Sequence, residues 1–584
     1  MRPLPDNITM ADCQNLAAHM QLPLPVIRLL ATRGLTDTQK IHSFLNPSLR
    51  ELPSPFSMKG MQQAVGIIAD AIKEQRPIIV YGDYDADGIT ATALLTLFIQ
   101  EIGGRVSHYV PDRFEEGYGL NNRAVQTICT QDNGVTEEKV LITVDCGISN
   151  AAEVDLAKRL GCSVIITDHH TPPMKLPEAD AVLNPLQPGC TFPFKHLAGV
   201  GVAFFLVMGL RKELYDRGFW QPDAVPNLKN YLDLVALGSI ADLVPLRDIN
   251  RILVSGGLEV MNSRMRLGLA KLYTIANGNN PQITAEDVAF KLAPRINAVG
   301  RMNSADKGVA LLTTDNAALA AKMAQELEEA NEQRKEIQQQ LISNARSQAE
   351  GLIQKKRNAL VLAGNDWHVG VLGIVASQIC ESFHRPTIVL SIEANRIKGS
   401  GRSVKGMNLH EALSLCADYI EQFGGHKRAA GLTIAPDNLE KFREKFEQVT
   451  TAMLSEDDLV PRLEYDDHLE QHLLFNKTFL QHYVRLAPFG KGNPEPLFVC
   501  DTLEFTSARV VGNNHLKFKI QDNGTTRDGI GFNLGFMMPE TNCQSNIGVF
   551  NLRYNQFHGK GNWEMNLVDL QAAPTPAIVD NKQK

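Results

Sequence analysis

Asp83, Asp85 and Asp87 stand at alternate positions, followed by Gly88, and form the densest group of potential metal ligands in the chain. Three carboxylates on one turn repel and raise one another's pKa values, unless a cation sits among them. A solvated acidic turn is the simplest reading. An EF-hand loop shares D-x-D-x-D-G, but it needs a bidentate Glu at its twelfth position and a helix before it. Counting from Asp83, the twelfth residue is Leu94, and the apolar run 77–81 reads as a strand. The remaining reading is a catalytic metal site, which requires ligands from elsewhere in the chain.

Such ligands occur at the ends of other apolar runs. Residues 140–144 lead into Asp145, residues 163–167 lead into Asp168-His169-His170, and Asp242 closes the apolar, helix-like run 232–240. A lone His after a strand is usually structural. Two of them behind an Asp, on a sheet already offering Asp85, Asp87 and Asp145, favour a shared site. Carboxylates with one or two imidazoles make an oxygen-rich donor set, which suits Mn²⁺ or Mg²⁺ better than zinc. Open α/β sheets bind ligands at the carboxyl ends of their strands, where all of these residues would lie.

The elements that must position them follow from periodicity. Candidate strands at 78–81, 105–110, 140–144, 163–167 and 181–184 alternate with helical patterns, which predicts a parallel, doubly wound α/β sheet. The expected order is a helical lead-in over 1–55, this α/β domain over 56–310, a long connecting helix over 311–357, a second α/β domain over 358–450, and an OB-like β-barrel over 451–584. Residues 315–350 hold neither Gly nor Pro, and Leu319, Met323, Leu327, Ala330, Ile337 and Leu341 recur at helical spacing. That is one amphipathic helix of about 50 Å, either a coiled-coil arm or, better suited to a polar Arg334 in its seam, a link between two domains.

The second domain shows strands at 359–363 and 387–391, a helix at 370–383, and two glycine-rich stretches, Gly399-Ser400-Gly401-Arg402-Ser403 and Phe423-Gly424-Gly425-His426. The last part reads as five strands, at 503–511, 515–521, 528–532, 547–554 and 563–570. Its aromatics (Phe518, Phe532, Phe536, Tyr554, Phe557 and Trp563) alternate with Lys517, Lys519, Arg527, Arg553 and Lys560, a composition suited to stacking single-stranded bases. The barrel carries no group that hydrolysis needs. Ending the chain near residue 455 is therefore expected to spare cleavage of very short oligomers.

The chain has 584 residues, 44% hydrophobic and 21% charged, which implies about three or four soluble domains. Nine scattered cysteines without a C-x-x-C pair imply free thiols in a reducing compartment. The apolar run 197–210 is too short to span a bilayer. A cytoplasmic protein with no membrane partner is expected. The net charge of −7 leaves only local basic clusters to hold phosphates.

Taken in order, D-x-D-x-D-G, V-D-C-G, D-H-H and I-A-D resemble the four motifs of the DHH phosphoesterase family, and G-S-G-R-S and F-G-G-H resemble its DHHA1 domain. The domain order resembles that of the family's single-strand-specific DNA exonucleases. This resemblance implies a 5′-to-3′ exonuclease of recombination and repair that uses two Mn²⁺ or Mg²⁺ ions and acts on single-stranded DNA. It further implies a monomer with a helicase and a single-strand-binding protein as partners.

By the same resemblance, Asp85 and Asp87 would each hold one metal with Asp83 in support. Asp145 would bridge, His169 and Asp242 would complete the second site, and His170 would lie near the phosphate. Pyrophosphatases of the family place a His where this chain has Tyr81, which implies a more labile first metal. In the second domain, 399–401 would offer backbone N–H groups as an anion nest, with Gly401, Arg402 and Ser403 on the strand and Gly424, Gly425 and His426 at the scissile phosphate. Arg295, Asn297 and Arg301 are further candidates for the strand path, on what reads as a surface loop. Two rivals stand beside this reading: a phosphodiesterase for short oligonucleotides or cyclic dinucleotides, and a non-catalytic single-strand-binding scaffold.

Overall fold

The computed structural model describes the chain apart from residues 114–115, 118, 131–137, 278–281, 303–304, 394, 513, 543–545, 556–561 and 573–584. It divides into two compact units. One comprises 1–294, 305–324 and 464–584; the other comprises 295–304 and 325–463.

In the first unit, strands β1 (Ile78–Gly82), β2 (Val106–Tyr109), β3 (Lys139–Val144), β4 (Cys162–Thr167) and β5 (Ala181–Leu183) form a parallel sheet in the order β2-β1-β3-β4-β5. The expected parallel sheet is therefore present, with ends displaced by a residue or two. β1, β3 and β4 are continuous apolar runs because helices cover both faces. The chain leaves β1 for β2 on one side and returns to β3 on the other. The carboxyl ends of β1 and β3 therefore flank the crevice where the strand order reverses, the usual ligand position in such sheets. The helix Ala86–Glu101 that follows β1 is buried on nearly every face and starts on Asp85, whose carboxylate caps the N–H groups of Asp87 and Gly88.

The second unit holds a mixed sheet of β6 (Leu360–Asn365), β7 (Thr387–Ile392), β8 (Ile397–Arg402), β9 (Gln422–Gly425) and β10 (Ala429–Ile434), ordered β6-β7-β8-β10-β9. One face packs on Phe442 and Phe446, the other on Leu341, Ala345 and Ala349 of the long helix. That helix runs Ala317–Gln354, 38 residues, or about 57 Å.

A seven-stranded sheet completes the first unit: β11 (Asp467–His468), β12 (Phe498–Leu503), β13 (Ser507–Val511), β14 (His515–Asp522), β15 (Thr525–Gly531), β16 (Asn546–Asn555) and β17 (Asn562–Ala572). The single strand expected over 503–511 is two: Leu503 ends β12, and β13 starts at Ser507 to pair with β14. Phe518 is core, whereas Phe532, Phe536 and Tyr554 are exposed. Phe557 and Lys560 lie outside the described residues.

The first forty-five residues share one core with this sheet. Val26, Ile27, Leu30 and Ile41 pack with Leu480, Phe498, Phe518 and Phe550. Arg2 pairs with the buried Asp466 at 2.7 Å, and Arg28 pairs with the buried Asp467 at 2.6 Å. Helices of 8 to 11 residues cannot bury their apolar faces alone. The sheet and residues 1–45 thus pack as one core rather than as a lead-in and a barrel apart, and cutting the chain near 455 would strip that core from the N-terminal helices.

Candidate metal centre

Asp83 and Asp85 lie on the loop leaving β1, and Asp87 lies in the first turn of the helix behind it. Asp145 follows β3, His169 and His170 follow β4, and Asp242 caps the helix Leu232–Ala241 at its C-terminal end. Side-chain ligand atoms fall into three overlapping groups, each within 4.8 Å: Asp83/Asp85/Asp145, Asp87/His169/Asp242 and Asp145/His169/His170. His169 Nε2 is 3.1 Å from Asp145 Oδ1, 3.8 Å from Asp242 Oδ2 and 3.9 Å from Asp87 Oδ2. Seven of the residues singled out from the sequence, Asp83, Asp85, Asp87, Asp145, His169, His170 and Asp242, converge on one place.

The electrostatics are those of a site built for cations. Burial, and then neighbouring carboxylates, push Asp83, Asp87 and Asp145 well above the usual carboxyl range. Asp242 is pushed up to about 7 by burial and by Asp85. Burial and the adjacent His170 pull His169 down to about 4, keeping its imidazole neutral as a ligand requires. Asp83 Oδ1 is buried with no hydrogen-bond partner among the described residues. Divalent cations among these oxygens turn mutual repulsion into attraction, so the residues fit a pair of such ions with hard oxygen and some nitrogen donors.

Asp168 plays a different part. Its Oδ1 accepts from the His169 and His170 N–H groups at 2.7 and 3.0 Å and lies 2.7 Å from His170 Nδ1; its Oδ2 accepts from the Ile148 N–H at 3.0 Å. Burial opposes a charge on His170, yet the Asp168 hydrogen bond and charge prevail and raise it to about 9. In the metal-free protein Asp168 thus favours the imidazolium of His170, a donor suited to a phosphate oxygen.

Sequence reasoning missed the supports behind the ligands. Asp87 accepts from the Gly199 and Val200 N–H groups at 2.6 and 2.8 Å, at the positive end of the helix Gly199–Asp216. A side chain on Gly199 would press on Asp145, its Cβ 2.8 Å from Oδ1; one on Gly238 would lie 2.9 Å from Asp87 Oδ1. The signal was present as glycines inside apolar helical runs, where close approach is what calls for them. Tyr81 donates to the Gly119 carbonyl at 2.9 Å, so its hydroxyl is engaged there.

The other candidates belong to the second unit, and several differ from expectation. Residues 399–401 form no nest. They lie in β8, a central strand paired on both sides, so their N–H groups serve the ladder. Arg402 donates to Ser377 Oγ at 2.9 Å and to the Gly401 carbonyl at 2.8 Å. Ser403 is buried and donates to the Met407 carbonyl. Gly424, Gly425 and His426 stand exposed on the β9–β10 hairpin, with Lys427 and Arg428 beside them. Residues 293–302 are a helix, not a surface loop. On it Arg295 is buried in a two-pronged pair with Glu328, and Arg301 donates to the Gly370 carbonyl at 2.7 Å. Asn297 on the same helix is half-buried.

Comparison with known proteins agrees with this architecture. The family model for the DHH family N-terminal domain matches residues 77–239, that for the DHHA1 domain 356–452, and that for the RecJ OB domain 465–569. The single-stranded-DNA-specific exonuclease RecJ of Dickeya dadantii is 38% identical over 555 residues, covering 92% of this chain and 94% of that protein. Its Bacillus subtilis counterpart is also 38% identical, over 89% of this chain, and this chain spans 64% of that longer protein. Structures of Thermus thermophilus RecJ in complex with Mn²⁺ and with Mg²⁺ superpose with TM-scores of 0.80 and 0.74, at 30% and 28% identity, over 98% of this chain and 79% and 78% of theirs. With identity sustained across nearly the whole of the Dickeya enzyme and three domain families in the same order, the chain belongs to the RecJ family of DHH exonucleases.

Proposed function

We propose that the chain is a metal-dependent exonuclease that degrades single-stranded DNA from its 5′ end, in recombination and repair. The observation that carries it is the crowding of buried carboxyls and a neutral imidazole at the sheet's switch point, a charge pattern that is unfavourable without cations. Asp85, Asp87, Asp145, His169 and Asp242 are the residues that would hold two Mn²⁺ or Mg²⁺ ions, with Asp83 in support. When bound, such ions lower the pKa of water and offset charge on the phosphodiester.

The chain's own groups do the rest. The Gly199 and Val200 N–H groups fix Asp87. Asp168 locks His170 in its charged form, ready to donate to a phosphate oxygen. Arg402 and His426 act on substrate rather than metal, Arg402 as a planar fork. The exposed Phe532, Phe536 and Tyr554 offer stacking faces to bases. A helicase and a single-strand-binding protein are the partners this activity calls for, and a monomer in the cytoplasm is the form in which we place it. Among the described residues, no helix is long and apolar enough to cross a membrane.

The test is incubation of the protein with Mn²⁺ or Mg²⁺ and end-labelled single-stranded DNA, duplex DNA or RNA. Loss of nucleotides from the 5′ end of single-stranded DNA, abolished by chelator, is the expected result. Attack on duplex only, or activity undiminished by chelation, would overturn the proposal.

A further inference from the structure

The turn Gly490–Asn493 is far removed in sequence from every motif above, yet it is built against the segment that follows Asp242. Gly490 and Asn493 exchange backbone hydrogen bonds at 2.9 and 3.1 Å, with Lys491 and Gly492 at the tip. Gly492 has φ +75°, which suits the third position of a type II turn. The Lys491 carbonyl accepts from the Leu246 N–H at 2.7 Å. A side chain on Gly490 would fall 2.7 Å from Leu246, and one on Gly492 would fall 2.8 Å from Pro245. The two glycines thus let the turn seat directly on 245–246.

The turn is anchored as firmly from behind. The fully buried Asn493 side chain donates to the Leu486 and Pro488 carbonyls, each at 2.8 Å, and accepts from Arg33. Arg251, buried and stacked on the Phe44 ring, donates to the carbonyls of Phe44, Arg485, Leu486 and Ala487. No carboxylate faces that guanidinium in these contacts; carbonyl oxygens satisfy it. So much buried bonding holds a turn whose tip residue, Lys491, is itself exposed. Through its bond to Leu246 the turn stands four residues from Asp242, and the Lys491 ammonium, like His170, favours the ionised form of that carboxyl.

We infer that Lys491, carried by the C-terminal portion of the chain, is a phosphate-binding residue of the nuclease centre, contacting a phosphodiester anion of the single strand beside Asp242 and His170. This rests on the reading of the site given above. A rigid turn spends no ordering entropy when the strand binds, and a point-charge ammonium tolerates the varying orientation of successive phosphates. The centre is then incomplete without residues 485–493.

The test uses the full chain with Mn²⁺ and a 5′-labelled single strand, comparing wild type, Lys491→Gln and Lys491→Arg over a salt series. The exposed side chain makes misfolding a minor concern, and the melting temperature checks it. Lys491→Gln should raise KM roughly tenfold, as loss of one charged hydrogen bond does. It should also reduce the salt slope of binding by about 0.7, the value for one single-strand phosphate contact. Lys491→Arg should restore most of both, and metal affinity should not change. An unchanged KM and salt slope would overturn the inference. So would tighter metal binding at unchanged KM, because Lys491 would then act only on Asp242. Inactivity of the wild type on single strands would instead overturn the nuclease reading itself.

Discussion

The first sheet and the second treat charge in opposite ways. At the carboxyl ends of β1, β3 and β4, Asp83, Asp87 and Asp145 are buried against one another with a neutral His169 between them. In the second unit, charge is either paired within the protein, as in Arg295 with Glu328, hydrogen-bonded to neutral acceptors, as in Arg402 with Ser377, or left in water, as at Lys427. Buried groups crowded by like charge await an ion; a matched or solvated group awaits at most a substrate. The contrast points to metal chemistry at the first sheet and leaves the groups of the second sheet for substrate alone, from energetics rather than from motifs.

The largest expected effect tests the first half of that contrast. Asp145→Ala removes a carboxylate common to two of the ligand groups, so turnover should fall by roughly a thousandfold or more. The same change relieves repulsion in the chelated protein, so the metal-free variant should melt at or above the temperature of the metal-free wild type. Near-normal turnover with metal still bound would break the assignment.

Next in size is the second half. His426→Gln alters an exposed residue of the β9–β10 hairpin, so stability should hold while cleavage slows by roughly ten- to a hundredfold, the scale of one lost hydrogen bond to a charged phosphate. Metal titration by calorimetry should be unchanged. Weakened Mn²⁺ binding in this variant would erase the distinction between the units.

The two regions also differ in how legible they were. The residues that converge at the first sheet could be read from the sequence, because acids and a His pair that close successive buried apolar runs would repel one another there unless they shared an ion. The parallel sheet followed from the alternation of elements, whereas its order, β2-β1-β3-β4-β5, did not. The glycine-rich stretch 399–401 misled, since glycines packed between neighbouring strands look the same in sequence as glycines in a nest; the Ile388 and Leu390 side chains that a Cβ there would meet are supplied by β7. Helix 293–302 was hidden by Pro294, which the π-helical turn Val288–Leu292 directly before it accommodates. The union of residues 1–45 with the C-terminal sheet was illegible for a different reason: partnership between remote segments leaves no periodic signal. Its consequence is that a chain ending near 455 should aggregate rather than retain selective activity on short oligomers, which gel filtration would reveal.

The smallest effect concerns protons. In the metal-free protein, Asp242 titrates near 7 and His170 near 9, both above their unfolded values of about 3.8 and 6.5. Each therefore holds extra proton in the folded state. Stability from His170 is full below pH 6.5 and is lost as pH rises through 9, whereas the loss from Asp242 accumulates from about pH 3.8 and is complete near pH 7. His169, lowered to about 4, has the opposite sign but acts only below about 6.5. From pH 6.5 to 9 the metal-free melting temperature should therefore fall, by several degrees at most because His170 is partly exposed and solvent screens it. Bound Mg²⁺ requires its carboxylates ionised, so the Mg²⁺-loaded protein should lose less over the same interval. The gap between the two melting curves should widen as pH rises. A gap that stayed constant would mean that the buried carboxyls of the first sheet are not the groups that take the ion, and the contrast between the two sheets would lose its physical basis.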